Sequence, residues 1–273
     1  MNVIDKMLHS YIHHILSECI LKKRKVIDKN AHMAVDSVDS SNQKLNNSNC
    51  MHSTCCFKEN DLFNLLSDQE LEKLNSTRVE VNFKKGEIIY KEGMPLTHLT
   101  IIRDGFGKIF VNGLNGKNLI LNYTKLYGLN GGIGFFTDQI HHSTLMAATD
   151  CKVCLIDIHS INEVMRTNRA FMLGYLKDHS IKMQHTYHRF IIVTQKNMEA
   201  RIAQAILYLK ETQFTHGSID HINRLDLAEF TAMSKESVIR VLKEFKNEKH
   251  IELKDQKIII VDEQALQNIS DYG

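Results

Sequence analysis

Two charged residues one helical turn apart, Glu236 and Arg240, have side chains that can recognise DNA bases. Arginine can donate two hydrogen bonds to guanine O6 and N7, and glutamate can accept one from cytosine N4. Lys235, Ser237 and Lys243 occupy the same stretch and add hydrogen-bond donors. The spacing therefore predicts a surface that reads adjacent base pairs. The same pair also fits an ordinary surface ion pair, and Glu236 alone fits an acidic residue beside the positive end of the helix dipole.

Thiols offer a second kind of chemistry. Cys50, Cys55 and Cys56 precede a strand-rich region that contains Cys154, and four thiolates can hold an iron–sulfur cluster. The C-x4-C-C spacing is irregular for such a cluster, because adjacent cysteines seldom bind one cluster together. Cys154 also fits a small buried hydrophobic residue, and Cys151, three residues earlier, would face the other side of its strand. The four-cysteine cluster is thus a hypothesis, with inert thiols as the alternative.

Fifteen histidines raise the question of a metal or haem site. His141 and His142 are adjacent in a glycine-rich stretch, and His185 and His188 lie three residues apart in a helical segment. Ordinary solvated side chains explain these residues as well. We therefore predict no metal ligands among them.

Composition restricts the class of protein. Of the 273 residues, 43% are hydrophobic and 24% are charged, which is typical of a folded globular chain. No apolar run approaches the roughly 20 residues of a membrane-spanning helix, and no secretory signal is evident, so we expect a cytoplasmic protein. The net charge of +2 provides no broad positive field, so DNA binding must depend on local motifs. No catalytic triad or nucleophile elbow is recognisable, which argues against an enzyme.

The first part of the chain changes from helical spacing to alternating strands. Residues 3–20 have amphipathic helical spacing and a Ser- and Asn-rich linker follows, so residues 1–56 are predicted to be a partly flexible N-terminal extension. Between Val79 and Ile158, β-rich runs alternate with Gly and Asn turns, and the runs are VEVNF, EIIY, LTIIRDG, GKIFV, NLILNY and CKVCLIDI. This pattern predicts an antiparallel sandwich or barrel-like roll of about 80 residues.

Helices are predicted on both sides of the strand region. Residues 62–74 predict a short helix with Ser67 and Glu70 as its capping box. From Asn168 to about Val193, apolar residues share one stripe near heptad spacing, which predicts a seam between two chains. Packing of this stripe against the strand domain is the alternative. The stripe consists of Met172, Leu176, Met183, Phe190 and Val193.

The C-terminal part has the layout of a winged helix-turn-helix. Helices are predicted over 198–211, 224–231 and 235–247, with Asn223 and Ser234 as N-caps, and an apolar hairpin follows. The residues predicted to face inward are Leu225, Leu227, Phe230, Val238, Val241, Leu242 and Phe245. Those left to face outward are Lys235, Glu236, Ser237, Ile239, Arg240 and Lys243.

Four motifs, taken in order, resemble the Crp/Fnr family of bacterial transcription regulators. They are FKKGEIIYKEG and IIRDGFGKIFV in the strand region, TQKNMEARIAQAILYL after the long helix, and RLDLAEFTAMSKESVIRVLKEF in the helix-turn-helix. The resemblance covers about residues 57–265. It implies an α+β fold with a cyclic-nucleotide-binding-like β-roll (57–165), a long dimerisation helix and hinge (166–196), and a winged helix-turn-helix (197–273). It also implies a homodimer that binds a palindromic DNA operator, with RNA polymerase as a further partner.

The resemblance extends to single positions of the helix-turn-helix. The family's Arg-Glu-Thr…Arg recognition pattern falls on Lys235, Glu236, Ser237 and Arg240. Lys235 replaces the first arginine, and Ala232 stands where the family often has a turn glycine. An alanine in a left-handed turn carries a steric cost, so the turn is expected to differ slightly. The alternative function is a protein-interaction adaptor that keeps the fold without binding DNA.

The sensor domain departs from the pattern of family members that bind cyclic AMP. Those members use a Gly-Glu-x-Gly turn and an Arg-Ser pair, where this chain has GGIGFFTDQIHHST. Gly132 replaces the glutamate that holds the ribose, and His142 replaces the arginine that pairs with the phosphate, while Ser143 is kept. The permanently charged partner of the phosphate is lost, so we predict that cyclic AMP is not the effector. Cys154 resembles the central cluster cysteine of oxygen-sensing members, which leaves a redox signal or another small effector open.

Overall fold

A computed structural model describes residues 57–113, 116–213, 218–255 and 257–273. The predicted helix over 3–20 and its linker lie outside these residues. The described residues form the expected α+β arrangement, in which a strand domain is followed by a long helix and a helical domain with a small sheet. None of the helices in this part of the chain is long and apolar enough to cross a membrane.

The strand domain is an antiparallel roll of two sheets. Its strands are β1 (Val79–Phe83), β2 (Ile88–Tyr90), β3 (His98–Asp104), β4 (Gly107–Asn112), β5 (Asn118–Tyr123), β6 (Leu129–Asn130), β7 (Thr144–Ala147) and β8 (Cys151–Asp157). One sheet has the order β1-β8-β3-β6 and the other the order β2-β7-β4-β5. All pairings are antiparallel, as the alternation of strands and turns predicts. The strands β6 and β7 were not among the predicted ones.

The core of the roll extends to the helices around it. Leu99 and Ile101 of β3 and Ile156 of β8 are fully buried. They belong to one apolar cluster with Phe63, which precedes the sheets, and Phe171, which follows them. The roll is therefore packed against both neighbouring helical segments.

The helix predicted over 62–74 begins later than expected. A 3-10 turn (Phe63–Leu65) is followed by an extended residue, Leu66, and then by α1 (Asp68–Thr77). The predicted capping box is present, because the Ser67 amide donates to Glu70 Oε2 at 2.8 Å and the Glu70 amide donates to Ser67 Oγ at 3.4 Å. The capping box itself sets the start of the helix, since the N-cap residue lies outside the helical backbone.

Two helices follow the roll, and the second of them ends at the predicted hinge. They are α2 (Ile158–Thr167) and α3 (Arg169–Gln195), and the Asn168 side chain caps α3 by accepting from the Phe171 amide at 2.9 Å. The next helix begins at Met198. Residues 196 and 197 thus separate the long helix from the C-terminal domain.

One face of α3 packs against the roll and another is exposed. Phe171, Tyr175 and Ile192 are buried, and the first two belong to the apolar cluster of the roll. Four of the five residues of the predicted stripe lie elsewhere on the helix and are between 41% and 58% exposed, namely Met172, Leu176, Met183 and Phe190. The fifth, Val193, is partly buried. These four side chains therefore do not serve to pack the helix on the roll.

The C-terminal domain is a winged helix-turn-helix. Its elements are α4 (Met198–Gln213), β9 (Ser218–Ile219), α5 (Arg224–Thr231), α6 (Lys235–Asn247), β10 (Ile251–Lys254), β11 (Lys257–Ile260) and α7 (Glu263–Tyr272). The bounds of α5 and α6 are those predicted, and β10 and β11 form the predicted hairpin, with β9 added at its edge. The final helix, α7, was not predicted.

The predicted inward faces of α5 and α6 are correct with one exception. Six of the seven residues are buried, but Leu225 is 51% exposed. Leu225 and Leu227 are two residues apart and so point about 200° apart around the helix. They cannot both face one core, and Leu227 occupies it. The six buried residues are Leu227, Phe230, Val238, Val241, Leu242 and Phe245.

Candidate DNA-binding surface and sensor site

A tight turn joins the two helices of the helix-turn-helix motif. Asn223 and Asp226 form a capping box at the start of α5, with the Asp226 amide donating to Asn223 Oδ1 at 2.9 Å. Ala232 ends α5 in the left-handed conformation, with φ 54° and ψ 43°. Ser234 then caps α6 by accepting from the Ser237 amide at 3.1 Å. These hydrogen bonds and the left-handed residue determine where α5 ends and where α6 begins.

The predicted recognition residues lie on the exposed face of α6. Lys235, Glu236, Arg240 and Lys243 are exposed, because the opposite side of the helix is anchored in the domain core. Ser237 is partly buried and its hydroxyl accepts from the Ser234 hydroxyl at 3.0 Å. The structure thus places four of the five predicted residues on one accessible, polar surface, with Ser237 at its margin.

Glu236 and Arg240 do not form the simple ion pair that was the alternative for them. Arg240 Nη1 lies 3.9 Å from Glu244 Oε1, and its Nη2 donates to the Met198 sulfur at 3.7 Å. Hydrogen bonds to its own backbone amide and to Ser234 lower the pKa of Glu236. The interpretation of Glu236 as an acidic residue beside the positive end of the helix dipole therefore has support. The guanidinium group of Arg240 stays exposed.

Arg224 is a basic residue of this motif that sequence reasoning missed. It is the first residue of α5, and its Nη1 is buried without a hydrogen-bond partner in this structure. Desolvation lowers the pKa of its guanidinium. The available signal was a basic residue directly after the N-cap of the first helix, where backbone amides also point outward.

Residues of the roll and the long helix contact α5. Lys108 Nζ on β4 lies 2.6 Å from Asp226 Oδ1, and both side chains are largely buried. Arg189 on α3 donates through Nη2 to the carbonyl oxygen of Ile120 on β5 at 3.1 Å and to that of Phe230 on α5 at 2.6 Å. Burial lowers the pKa of Arg189 to about 10. The first helix of the motif is thus held against the roll by buried charged groups.

Gly132 in the sensor domain lies against the long helix. The Tyr175 hydroxyl of α3 donates to the Gly132 carbonyl oxygen at 3.3 Å. A Cβ atom at position 132 would lie 2.1 Å from the Tyr175 hydroxyl oxygen and 3.1 Å from His179 Nε2. The space that a larger residue would need here is therefore occupied by side chains of α3.

The two adjacent histidines of the sensor domain have different surroundings. His141 is buried and stacks on Tyr90 with 4.2 Å between ring centroids, while its Nδ1 has no partner and burial lowers its pKa. His142 lies near the surface, with Nε2 3.0 Å from Asp138 Oδ1. Ser143 is buried and its hydroxyl forms a hydrogen bond with Tyr90. The His142 and Ser143 side chains are thus engaged with other residues of the chain.

Cys151 and Cys154 are both buried on β8 but face different clusters. Cys154 lies in the main core of the roll, and its sulfur accepts from Arg78 Nη1 at 3.0 Å. Cys151 belongs to a second cluster, as the strand alternation predicts. The other proposed cluster ligands, Cys50, Cys55 and Cys56, lie outside the described residues, so the four-thiolate site stays a prediction.

Two histidines three residues apart on α3 raise the question of a metal site. Burial lowers the pKa of His185 and of His188, and His188 Nδ1 is buried without a partner. In the part of the chain that the structure describes, no three His, Cys, Asp or Glu side chains are grouped so that they could hold a metal ion.

Two family models match the chain in the order of its domains. Residues 80–168 match the cyclic nucleotide-binding domain, and residues 200–269 match the Crp-like helix-turn-helix domain. The first match covers most of the roll, and the second covers α4 to α7.

Several proteins and solved structures are similar to this chain in sequence or fold. Electron transport regulator A of Shewanella oneidensis is 27% identical over 188 residues, which cover 67% of this chain and 75% of that protein. The cAMP-activated global transcriptional regulator CRP of Salmonella typhimurium is 23% identical over 174 residues, covering 62% and 83%. A crp/fnr-family regulator from Eubacterium rectale shares the fold with a TM-score of 0.68 at 17% identity, covering 78% and 99%.

Proposed function

The chain belongs to the Crp/Fnr family of DNA-binding transcription regulators, and on that premise we propose that two copies bind a palindromic operator through their α6 helices. The observation that carries the proposal is the exposed polar face of α6 beside a buried opposite face. A helix of this kind, second in a helix-turn-helix, fits the major groove. In the cytoplasm, the bound dimer would change the access of RNA polymerase to a promoter.

The proposed contacts divide into base and phosphate contacts. Arg240 has a fork of donors for guanine O6 and N7, and Glu236 is an acceptor for cytosine N4. Lys235 and Lys243 flank them and would reach phosphates. Arg224 would contact the backbone from the start of α5, since the first helix of the motif crosses the backbone.

The exposed stripe of α3 supports the homodimer. Leu176, Met183 and Phe190 are apolar, exposed and seven residues apart, which is the repeat of a coiled-coil seam. A second copy would bury this stripe and place two α6 helices for half-sites about one helical turn apart. We propose half-sites with a TGA-like core, in which Arg240 donates to the guanine and Glu236 accepts from an amino group, cytosine N4 of the same pair or adenine N6 of the next.

Selection of sites from a random DNA library, followed by mobility-shift titration, tests this function. We expect an inverted repeat, and Arg240→Ala should weaken its binding by about 1–3 kcal/mol and relax the preference at one G·C pair. Lys243→Ala is the matched control: it should weaken all sequences alike and reduce the salt slope by about one. If Arg240→Ala weakened binding to random DNA as much as binding to the operator, the assignment of Arg240 to a base contact would be wrong. A chain that binds no DNA would be the protein-interaction adaptor instead.

We also propose that cyclic AMP is not the effector of the sensor domain. The space beside Gly132 is filled by Tyr175, and His142 and Ser143 are paired within the chain. A less anionic molecule is favoured by the neutral, apolar residues that follow Gly132, which are Ile133, Phe135 and Phe136. Isothermal titration with cyclic AMP should release no saturable heat in the micromolar range, with the Salmonella relative as the positive control, and stoichiometric binding would contradict the proposal.

A further inference from the structure

One apolar residue of α6 lies outside the domain core. Ile239 is 48% exposed, whereas the other apolar residues of the helix are at most 2% exposed. It also does not join the partly buried hydrophobic residues that pack around the core. The buried apolar residues of the helix are Val238, Val241, Leu242 and Phe245.

The position of Ile239 on the helix is central to the candidate DNA-binding face. At about 100° per residue, Ile239 is separated by roughly 60° from Glu236 and by roughly 40° from Lys243. It directly precedes Arg240 in the chain. A face that brings Glu236 and Arg240 to base edges therefore brings Ile239 to base edges as well.

Isoleucine offers no advantage for the helix itself at this position. Exposed helix positions are stabilised by residues such as Ala, Glu and Lys, while a β-branched residue loses rotamer freedom. Ile239 makes no contribution to the core, and its apolar surface is exposed to water in the free protein. The stability of the helix and of the domain core therefore does not explain why residue 239 is an isoleucine.

The major groove contains one apolar group among the polar base edges. It is the C5-methyl group of thymine, and an apolar side chain against it discriminates thymine from the other bases. A polar base edge against Ile239 would lose hydrogen bonds to water without replacement.

We propose that Ile239 is a specificity-determining residue that contacts the thymine methyl group of a base pair next to those read by Glu236 and Arg240. The proposal rests on the DNA-binding function proposed above and assigns to Ile239 the recognition of one thymine in each half-site. Ile239 acts by apolar contact and shape, without a hydrogen bond.

Replacement of single thymines by deoxyuridine in the selected operator tests this contact, because it removes the methyl group and leaves base pairing unchanged. We expect one thymine in each half-site to be sensitive to this replacement. When that thymine is replaced, the wild-type protein should bind about fourfold more weakly per half-site, because the burial of one methyl group is lost. Ile239→Ala should bind the unmodified operator more weakly and show no further loss with deoxyuridine. The thermal midpoint of this variant shows whether the exposed substitution leaves the fold intact.

Leu225→Ala provides the matched control, since Leu225 is an equally exposed apolar residue on the first helix of the same motif. It should keep the full sensitivity to deoxyuridine. The proposal is overturned if no thymine shows the methyl effect in the wild type, or if Ile239→Ala retains it, while the selected operator still supports the proposed function. Failure to select any operator would reject both proposals.

Discussion

Gly132 and Tyr175 share one small space in the sensor domain, and the interaction between them is measurable. A Cβ atom at position 132 would lie 2.1 Å from the Tyr175 hydroxyl oxygen, far inside van der Waals contact. Overpacking of this kind typically lowers stability by about 1–3 kcal/mol. The hydroxyl is the nearest atom, and the Tyr175 Cζ atom behind it is 3.3 Å away.

We therefore expect Gly132→Ala to lower the free energy of unfolding by about 1–3 kcal/mol, and Tyr175→Phe to restore at least half of that loss in the double variant. Tyr175→Phe alone is the control and should cost under about 1 kcal/mol, since it removes one 3.3 Å hydrogen bond. Urea unfolding of the four proteins measures the cycle. Additive effects of the two substitutions would show that the side chains do not compete for this space.

The residues of the candidate sites were predictable by type but not by surroundings. The loss of an acidic residue at position 132 and of a basic residue at 142 is legible in the sequence alone. That Tyr175 fills the first space, and that Asp138 pairs with His142, depends on packing between distant segments. Arg224 was missed because a basic residue directly after an N-cap is a weak signal, and the burial of its Nη1 depends on the tertiary fold.

At the scale of the elements, the turn between α5 and α6 contains a strained residue. Ala232 has a φ of 54°, which costs a residue with a Cβ atom about 1–2 kcal/mol. Glycine avoids this cost but loses more conformational freedom on folding, about 0.5–1 kcal/mol.

Ala232→Gly should accordingly raise the free energy of unfolding of the C-terminal domain by about 0.5–1 kcal/mol. Ala228→Gly makes the same chemical change inside α5, where the backbone is right-handed, and should lower stability by about 1 kcal/mol or more. Thermal unfolding of both variants beside the wild type gives the comparison. A loss of stability in Ala232→Gly would mean that the turn does not hold the left-handed conformation.

Element prediction succeeded where the signal is local. The bounds of α5 and α6 follow from N-cap residues and apolar spacing within the motif. The two-residue strand β6 is defined by pairing with β3, about thirty residues earlier, so no local pattern announces it. The strand β7 has four residues without polar alternation, three of them buried. Leu225 was misplaced because an eight-residue helix offers few positions for determining a face.

At the scale of the whole molecule, Arg189 joins three parts of the chain. It lies on the long helix, donates to β5 through the Ile120 carbonyl and to α5 through the Phe230 carbonyl, and its guanidinium carbon lies 3.8 Å from the centroid of the Phe230 ring. Lys108 and Asp226 add an ion pair between residues 118 apart in sequence. These contacts depend on the tertiary fold, so neither periodicity nor motif spacing could have predicted them.

The removal of Arg189 should therefore loosen α5 more than the roll. Arg189→Met keeps most of the apolar stem but leaves two carbonyl oxygens without their charged donor, at about 1.5–3 kcal/mol for such a bond. We expect amide hydrogen exchange in Arg224–Thr231 to accelerate by a factor of about 10 to 100, while β3 and β8 keep their protection. Lys182→Met is the matched control, because Lys182 lies on the same helix and donates to the Leu129 carbonyl of the roll. Equal protection of α5 in the two variants would show that Arg189 does not hold the helix-turn-helix to the rest of the molecule.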